Sequence, residues 1–152
     1  MTTPAPKTEF CLDALMLDLR HYVKEELQNC GKTHIDAETY PYHENETCYT
    51  RSDRERIRQI FIHLLDNAVR NIERGFIVFG YFAAKKNVVD FYVDDTRLNR
   101  NYNDDANEEL PAARALLEPM GSRLKISRDR KKPSSLYFAV RGATKLVATQ
   151  PS

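Results

Sequence analysis

Cysteine is scarce in this sequence and is not found in paired spacing. The 152 residues contain three cysteines, Cys11, Cys30 and Cys48, and no C-x-x-C motif. An odd number of widely separated cysteines does not fit a disulfide framework. We therefore expect free thiols in a reducing compartment, and so a cytoplasmic location.

Long apolar runs and an excess of charge of either sign are also absent. No stretch approaches the ~20 apolar residues of a membrane-spanning helix, and the N-terminal residues MTTPAPKTEF lack the apolar core of a signal peptide. The 23 basic and 22 acidic residues nearly cancel. This balance argues against a general nucleic-acid-binding or membrane-surface protein. We expect no nucleic-acid partner and no direct membrane contact.

The length and composition fit one globular domain. A chain of 152 residues is one domain by length, and its 41% hydrophobic and 30% charged residues are ordinary globular values. No internal repeat is visible. The polar ends predict an N-terminal tail over residues 1–8, a domain over 9–141 and a C-terminal tail over 142–152.

Hydrophobic periodicity predicts three helices that alternate with pairs of strands. The strongest helix opens with Ser52 and Glu55 at capping-box spacing and ends at Gly75, within SDRERIRQIFIHLLDNAVRNIERG. Alternating strands follow in FIVFGYFAA and NVVDFYVDD. This order predicts an α+β fold, a two-layer sandwich of a mixed, largely antiparallel sheet with three helices on one face.

Four polar residues of the long helix form one patch. His63, Asn67 and Asn71 are spaced i, i+4, i+8, and Arg70 lies beside them. At 100° per residue they flank the apolar stripe of the helix. Two interpretations stay open, a solvated helix flank or a ligand-facing patch on an anchored helix.

The long helix, followed by FIVFGYF and VVDFYVDDT, resembles the ATP-binding catalytic domain of two-component sensor histidine kinases. These domains belong to the histidine-kinase-like (GHKL) ATPase superfamily. The likeness covers almost the whole chain in order and spacing. It implies a transferase role in signal transduction, with ATP and Mg²⁺ as ligands. It also implies two partners, a dimerisation and phospho-acceptor domain of the same longer protein and a response regulator.

The resemblance assigns the patch to the phosphate end of the nucleotide. Asn67, in LLDNA, matches the asparagine that contacts the phosphates, and Arg70 and Asn71 match the positions one turn on. His63 stands where the family has the asparagine that holds Mg²⁺. Mg²⁺ prefers oxygen ligands, so imidazole is a poor replacement.

The resemblance assigns the adenine end to two further residues. Asp95 matches the aspartate that accepts a hydrogen bond from the adenine amino group. Ser135, in SSLYF, matches a threonine that supports that aspartate and keeps its hydroxyl.

The chain departs from the family at both glycine motifs. The G-x-G expected after Asp95 is missing, and the second glycine box falls on residues 107–110, which include two glutamates. The glycines let backbone N–H groups reach the phosphates, whereas carboxylates repel them. Arg97 or Arg100 could supply the lost positive charge through side chains.

Two functional hypotheses follow from these departures. The first is the catalytic, ATP-binding domain of a sensor histidine kinase, degenerate in its phosphate-binding loops and part of a longer protein. The second is a non-catalytic, pseudokinase-like interaction module that does not bind ATP. No histidine of the chain has the sequence context of a phospho-acceptor, so this chain alone is not a complete kinase.

Overall fold

A computed structural model describes residues 7–96, 109–127 and 134–149. This part of the chain contains eight strands and three α-helices. In chain order they are β1 (Thr8–Cys11), α1 (Leu12–Asn29), β2 (Asp36–Thr39), β3 (Glu46–Ser52), α2 (Arg54–Asn71), β4 (Phe76–Lys85), β5 (Val88–Asp95), α3 (Glu109–Leu117) with a 3₁₀ turn (Glu118–Met120), β6 (Lys125–Ser127), β7 (Ser134–Arg141) and β8 (Thr144–Ala148). Within the described residues, no helix has both the length and the apolar character needed to cross a membrane.

The strands form two sheets. Five strands pair in the order β2-β4-β5-β7-β6, in which only the β2–β4 pair is parallel. Three strands pair in the order β1-β3-β8, all antiparallel. The predicted α+β class, with a mixed and largely antiparallel sheet and three helices, is confirmed. The second sheet was not predicted.

Helix α2 is anchored to the five-stranded sheet by an aromatic cluster. Phe61 lies edge-on to Phe79 of β4, Phe91 of β5 and Phe138 of β7, with ring centroids 6.2, 5.5 and 5.7 Å apart. All four rings are fully buried or nearly so. Edge-to-face rings are favourable beyond the area they bury. One residue of α2 therefore ties the helix to three strands.

Asp13, in the first turn of α1, links the helix to both sheets. Its carboxylate accepts hydrogen bonds from the Tyr81 hydroxyl of β4 at 2.8 Å and from the Cys48 backbone N–H of β3 at 3.0 Å. Burial raises the pKa of the Cys48 thiol to about 11, so this thiol is protonated at neutral pH. All three cysteines are free thiols, as predicted.

The ends of α2 differ from those predicted. The N-cap is Asp53, whose carboxylate accepts from the Arg56 backbone N–H at 3.1 Å. Ser52 cannot cap the helix because it is still part of β3, where it pairs with Thr8 of β1. The helix ends at Asn71 rather than at Gly75. The predicted N-cap was therefore one residue too early, and the predicted end of the helix was four residues too late.

The predicted C-terminal tail over 142–152 is wrong for the stretch that forms β8. This strand pairs with β3, with Thr144 opposite Thr50 and Leu146 opposite Cys48. Gly142 precedes it, and a Cβ there would lie 2.5 Å from the Arg51 carbonyl oxygen. The chain can therefore turn into β8 only because this position carries no side chain.

We expect Phe61→Ala to lower the free energy of unfolding by about 3–5 kcal/mol, because it leaves a cavity among three buried rings. Urea unfolding followed by circular dichroism would measure this change. Phe76→Ala is the matched control, because Phe76 is 50% exposed and its truncation should cost about 1 kcal/mol or less. Equal losses in the two variants would contradict the central role of Phe61.

Candidate functional site

The polar patch of α2 includes one fully buried amide, that of Asn67. Asn67 is 0% exposed although it flanks the apolar stripe. The Asn71 side-chain amide donates to the Asn67 backbone oxygen at 2.8 Å and to the Asn67 side-chain oxygen at 3.2 Å. A buried amide costs free energy unless it is hydrogen-bonded. The solvated-flank interpretation therefore does not hold for Asn67.

His63 and Arg70 converge on one carboxylate from α3. The Glu109 carboxylate lies 2.8 Å from His63 Nδ1 through one oxygen and accepts from Arg70 Nη2 at 3.1 Å through the other. The Glu109 side chain is 16% exposed, against 32% for His63 and 58% for Arg70. Both oxygens of a largely buried carboxylate are thus engaged by α2.

The Asp66 carboxylate of α2 interacts electrostatically with Glu109, His63 and Arg70. Asp66 accepts a hydrogen bond from the Tyr22 hydroxyl of α1 at 2.7 Å. Burial raises the pKa of the Asp66 carboxyl above its usual range, the Tyr22 hydroxyl lowers it, and repulsion from Glu109 raises it. His63 and Arg70 lower the same pKa. The two carboxylates therefore act on each other across the α2–α3 contact.

Asp95 ends β5 on the face of the sheet that the core covers. Alternate residues of this strand are buried, among them Phe91 and Val93, and Asp95 follows the same pattern at 2% exposure. Its side chain therefore lies on the helix-facing side with Phe91, which contacts Phe61 of α2. The structure places a buried carboxylate at the strand end where the adenine-binding aspartate was expected.

The backbone around Asp95 is held by the loop before β4. The Thr96 hydroxyl accepts from the Phe76 N–H at 3.0 Å and donates to the Arg74 carbonyl oxygen at 3.0 Å. Gly75 has φ of 101°, and a Cβ there would collide with the Thr96 hydroxyl. Glycine is required at this position by both its conformation and the close approach.

Ser135 does not share a face with Asp95. The β5–β7 register places Ser135 opposite Asp94 and places Ser134 opposite Asp95. Burial raises the pKa of the Asp94 carboxyl, and the Ser135 hydroxyl lowers it through a hydrogen bond. Directly opposed residues of an antiparallel pair point to the same side of the sheet. Ser135 therefore supports Asp94, and the expected support of Asp95 is corrected.

The residues at the expected metal position do not fit Mg²⁺. His63 offers nitrogen, and its Nδ1 is engaged by Glu109. Among the described residues, no group of three or more histidine, cysteine, aspartate or glutamate side chains could hold a metal ion. Mg²⁺ requires hard oxygen ligands in octahedral geometry. Arg97, the predicted substitute for the missing glycines, lies outside the described residues.

The contacts of Glu109 were not predicted from the sequence. Glu109 is 46 residues from His63 and 39 from Arg70, so no periodicity connects them. The sequence shows a negative charge in the expected second glycine box, but it does not predict the pairing of Glu109 with α2. The Tyr22–Asp66 bond joins two helices 44 residues apart and likewise has no local signal.

Neither the models of protein families nor the curated protein sequences match this chain. Solved structures do match it. The chain superposes on the nucleotide-free catalytic domain of histidine kinase ThkA with a TM-score of 0.72 at 18% identity, covering 91% of this chain and 99% of that one. The chain has the histidine-kinase ATPase fold.

Two larger histidine kinases share this fold with the chain. Full-length ShkA, solved in complex with AMPPNP, matches with a TM-score of 0.75 at 18% identity over 97% of this chain. The Acinetobacter baumannii histidine kinase AdeS matches with a TM-score of 0.69 at 16% identity over 89% of this chain. The chain spans 33% of the ShkA structure and 66% of the AdeS structure. The resemblance noted in the sequence is confirmed at the level of the fold.

We expect Asp66→Asn to gain stability relative to the wild type as the pH rises. The folded-state pKa of Asp66 lies above its ordinary value of 3.8, so the wild type loses stability as the pH rises from that value through the folded-state pKa. Asparagine keeps the acceptor for Tyr22 and does not titrate. Urea unfolding of both proteins at acid and neutral pH would measure the difference.

Glu25→Gln is the control for this experiment, because the Glu25 side chain is 63% exposed on α1. A difference between Asp66→Asn and the wild type that stays constant with pH would contradict the raised pKa of Asp66.

Proposed function

We propose that this chain is the adenine-nucleotide-binding domain of a cytoplasmic sensor histidine kinase in a two-component system. Asp95 is the observation that carries the proposal, because its carboxylate is buried at the end of β5 on the helix-facing side. An ionised carboxylate can only accept hydrogen bonds. A carboxylate kept there is suited to accept a hydrogen bond from an adenine amino group.

The fold supports the same assignment. ShkA, which shares it, was solved in complex with AMPPNP, an ATP analogue. On this proposal the nucleotide lies between α2 and α3, with Asp95 at the adenine end and Asn67, Asn71 and Arg70 towards the phosphates. Chemistry in such a domain is mostly positioning and charge neutralisation.

The share of its structural neighbours that the chain covers supports a multidomain context. The chain matches only part of ShkA and of AdeS. We propose that it works beside a dimerisation and phospho-acceptor domain of the same longer protein, and that a response regulator receives the phosphoryl group. The nucleotide domain would present the γ-phosphate to a histidine on the dimerisation helices.

Two observations favour a second candidate, a non-catalytic interaction module. Arg70, assigned to phosphate, is hydrogen-bonded to Glu109, and the described residues at the metal position do not fit Mg²⁺. A domain with these features could keep the fold and dock on its partner without turnover. The two candidates differ in whether any adenine nucleotide binds.

Asp95→Asn should weaken nucleotide binding by about 1–3 kcal/mol, because it removes a charge-assisted hydrogen bond to the adenine amino group. Isothermal titration of the purified chain with ADP and ATP would measure it. Asp94→Asn is the matched control, since Asp94 is the adjacent residue on the opposite face of β5. It should leave the affinity unchanged.

If Asp95→Asn and Asp94→Asn bound nucleotide as tightly as the wild type, the adenine assignment would be wrong. If the wild type bound no adenine nucleotide or nucleoside at millimolar concentration, the interaction module would replace the proposed function.

A further inference from the structure

The segment of residues 72–75, which joins α2 to β4, is hydrogen-bonded to the end of β5. Thr96 directly follows Asp95, and its hydroxyl donates to the Arg74 carbonyl oxygen and accepts from the Phe76 N–H, each at 3.0 Å. The Thr96 backbone N–H also donates to the Phe76 carbonyl oxygen at 3.1 Å. The residue after Asp95 therefore makes three hydrogen bonds across the start of β4.

The same segment is also held by the connection between α1 and β2. Lys32 Nζ donates to the carbonyl oxygens of Val69 at 2.6 Å and Arg70 at 3.2 Å. These are among the last carbonyl groups of α2, which have no partner within the helix. His34 Nε2 lies 2.8 Å from the Glu73 carbonyl oxygen. The segment is therefore fixed at its start by side chains that precede β2 and at its end by the residue that follows β5.

The backbone of Asp95 is fixed from two directions. Within the sheet, Asp95 pairs with Ile77 of β4, and both residues are buried, at 2% and 0% exposure. The end of a strand opens more easily than its middle, and Asp95 is the last residue of β5. The Thr96 hydrogen bonds lie directly beyond this pair and oppose such opening.

Threonine has the chemistry that this contact requires. A hydroxyl can donate one hydrogen bond and accept others at the same time, and the Thr96 hydroxyl meets one carbonyl oxygen and one N–H. Valine has nearly the same shape but can do neither, whereas serine can do both. The approach also needs Gly75, because a Cβ there would collide with the hydroxyl.

We propose that Thr96 is a positioning residue for adenine recognition, whose hydroxyl fixes the end of β5 so that the Asp95 carboxylate stays in place to accept from the adenine amino group. This inference rests on the proposed function, because it assumes that the adenine end lies at Asp95. A hydrogen bond weakens steeply as its geometry departs from the optimum. Thr96 therefore determines base specificity through Asp95.

The experiment compares two nucleotides that differ at the group that Asp95 is proposed to bind. ADP carries a 6-amino group, which donates, whereas inosine diphosphate (IDP) carries an oxygen there, which only accepts. Since a carboxylate also only accepts, we expect the wild type to bind ADP at least about tenfold more tightly than IDP. Isothermal titration of the whole 152-residue chain would measure both affinities. Asp95→Asn should remove the preference.

Thr96→Val should lower the affinity for ADP by about threefold or more, because a small displacement of a binding group is costly. It should leave the affinity for IDP unchanged, so that the preference for ADP narrows. Thr96→Ser should retain the wild-type preference. Thr149→Val is the matched control, because it removes from an exposed threonine a hydroxyl that also donates to a backbone carbonyl, that of Asn45 at 2.9 Å. It should change neither affinity.

The outcomes separate this inference from the proposed function. If the wild type prefers ADP and Thr96→Val keeps the same preference, the inference is overturned and the proposed function stands. Equal losses of ADP and IDP affinity in Thr96→Val would show a general structural effect and would also overturn the inference. A wild type that binds neither nucleotide would overturn both. If circular dichroism shows that Thr96→Val does not fold, Thr96→Ala, with its smaller side chain, carries the same prediction.

Discussion

The packing of Phe61 against three phenylalanines determines how α2 lies on the five-stranded sheet, and the position of the candidate site depends on it. These rings come from β4, β5 and β7, so they set both the height and the rotation of α2 above the sheet. Closely packed side chains leave little room for a helix to roll. Because the apolar stripe of α2 packs on the sheet, the polar flank of α2 lies at the contact with α3.

The position of that flank, which carries most of the candidate site residues, is determined by the core. Asn67 is buried beside the stripe, and His63 and Arg70 reach Glu109 from successive turns. Asp95, the residue proposed for the adenine end, is placed in the same way, since it continues the buried alternation of β5. Two ends of one candidate site are therefore set by the packing of one helix on one sheet.

Electrostatics then distinguishes this site from an open phosphate cradle. A cradle presents unpaired donors to an incoming anion, whereas here an internal carboxylate already engages His63 and Arg70. The Glu109 side chain is only 16% exposed, so separating it from these two groups is unfavourable. The histidine-kinase ATPase fold is thus retained while an internal carboxylate engages two groups that the resemblance assigns to the metal and phosphate positions.

The sequence by itself determined the elements whose signals are local. The helical period predicted α2 and its buried stripe, and the alternation in VVDFYVDD predicted the strand β5. The tertiary structure alone decided what depends on distant partners. Strand β8 needs β3, Ser135 supports Asp94 because of the β5–β7 register, and Glu109 meets His63 across 46 residues. Periodicity reports which side of an element is apolar, but only packing decides which polar groups of different elements come within hydrogen-bonding distance.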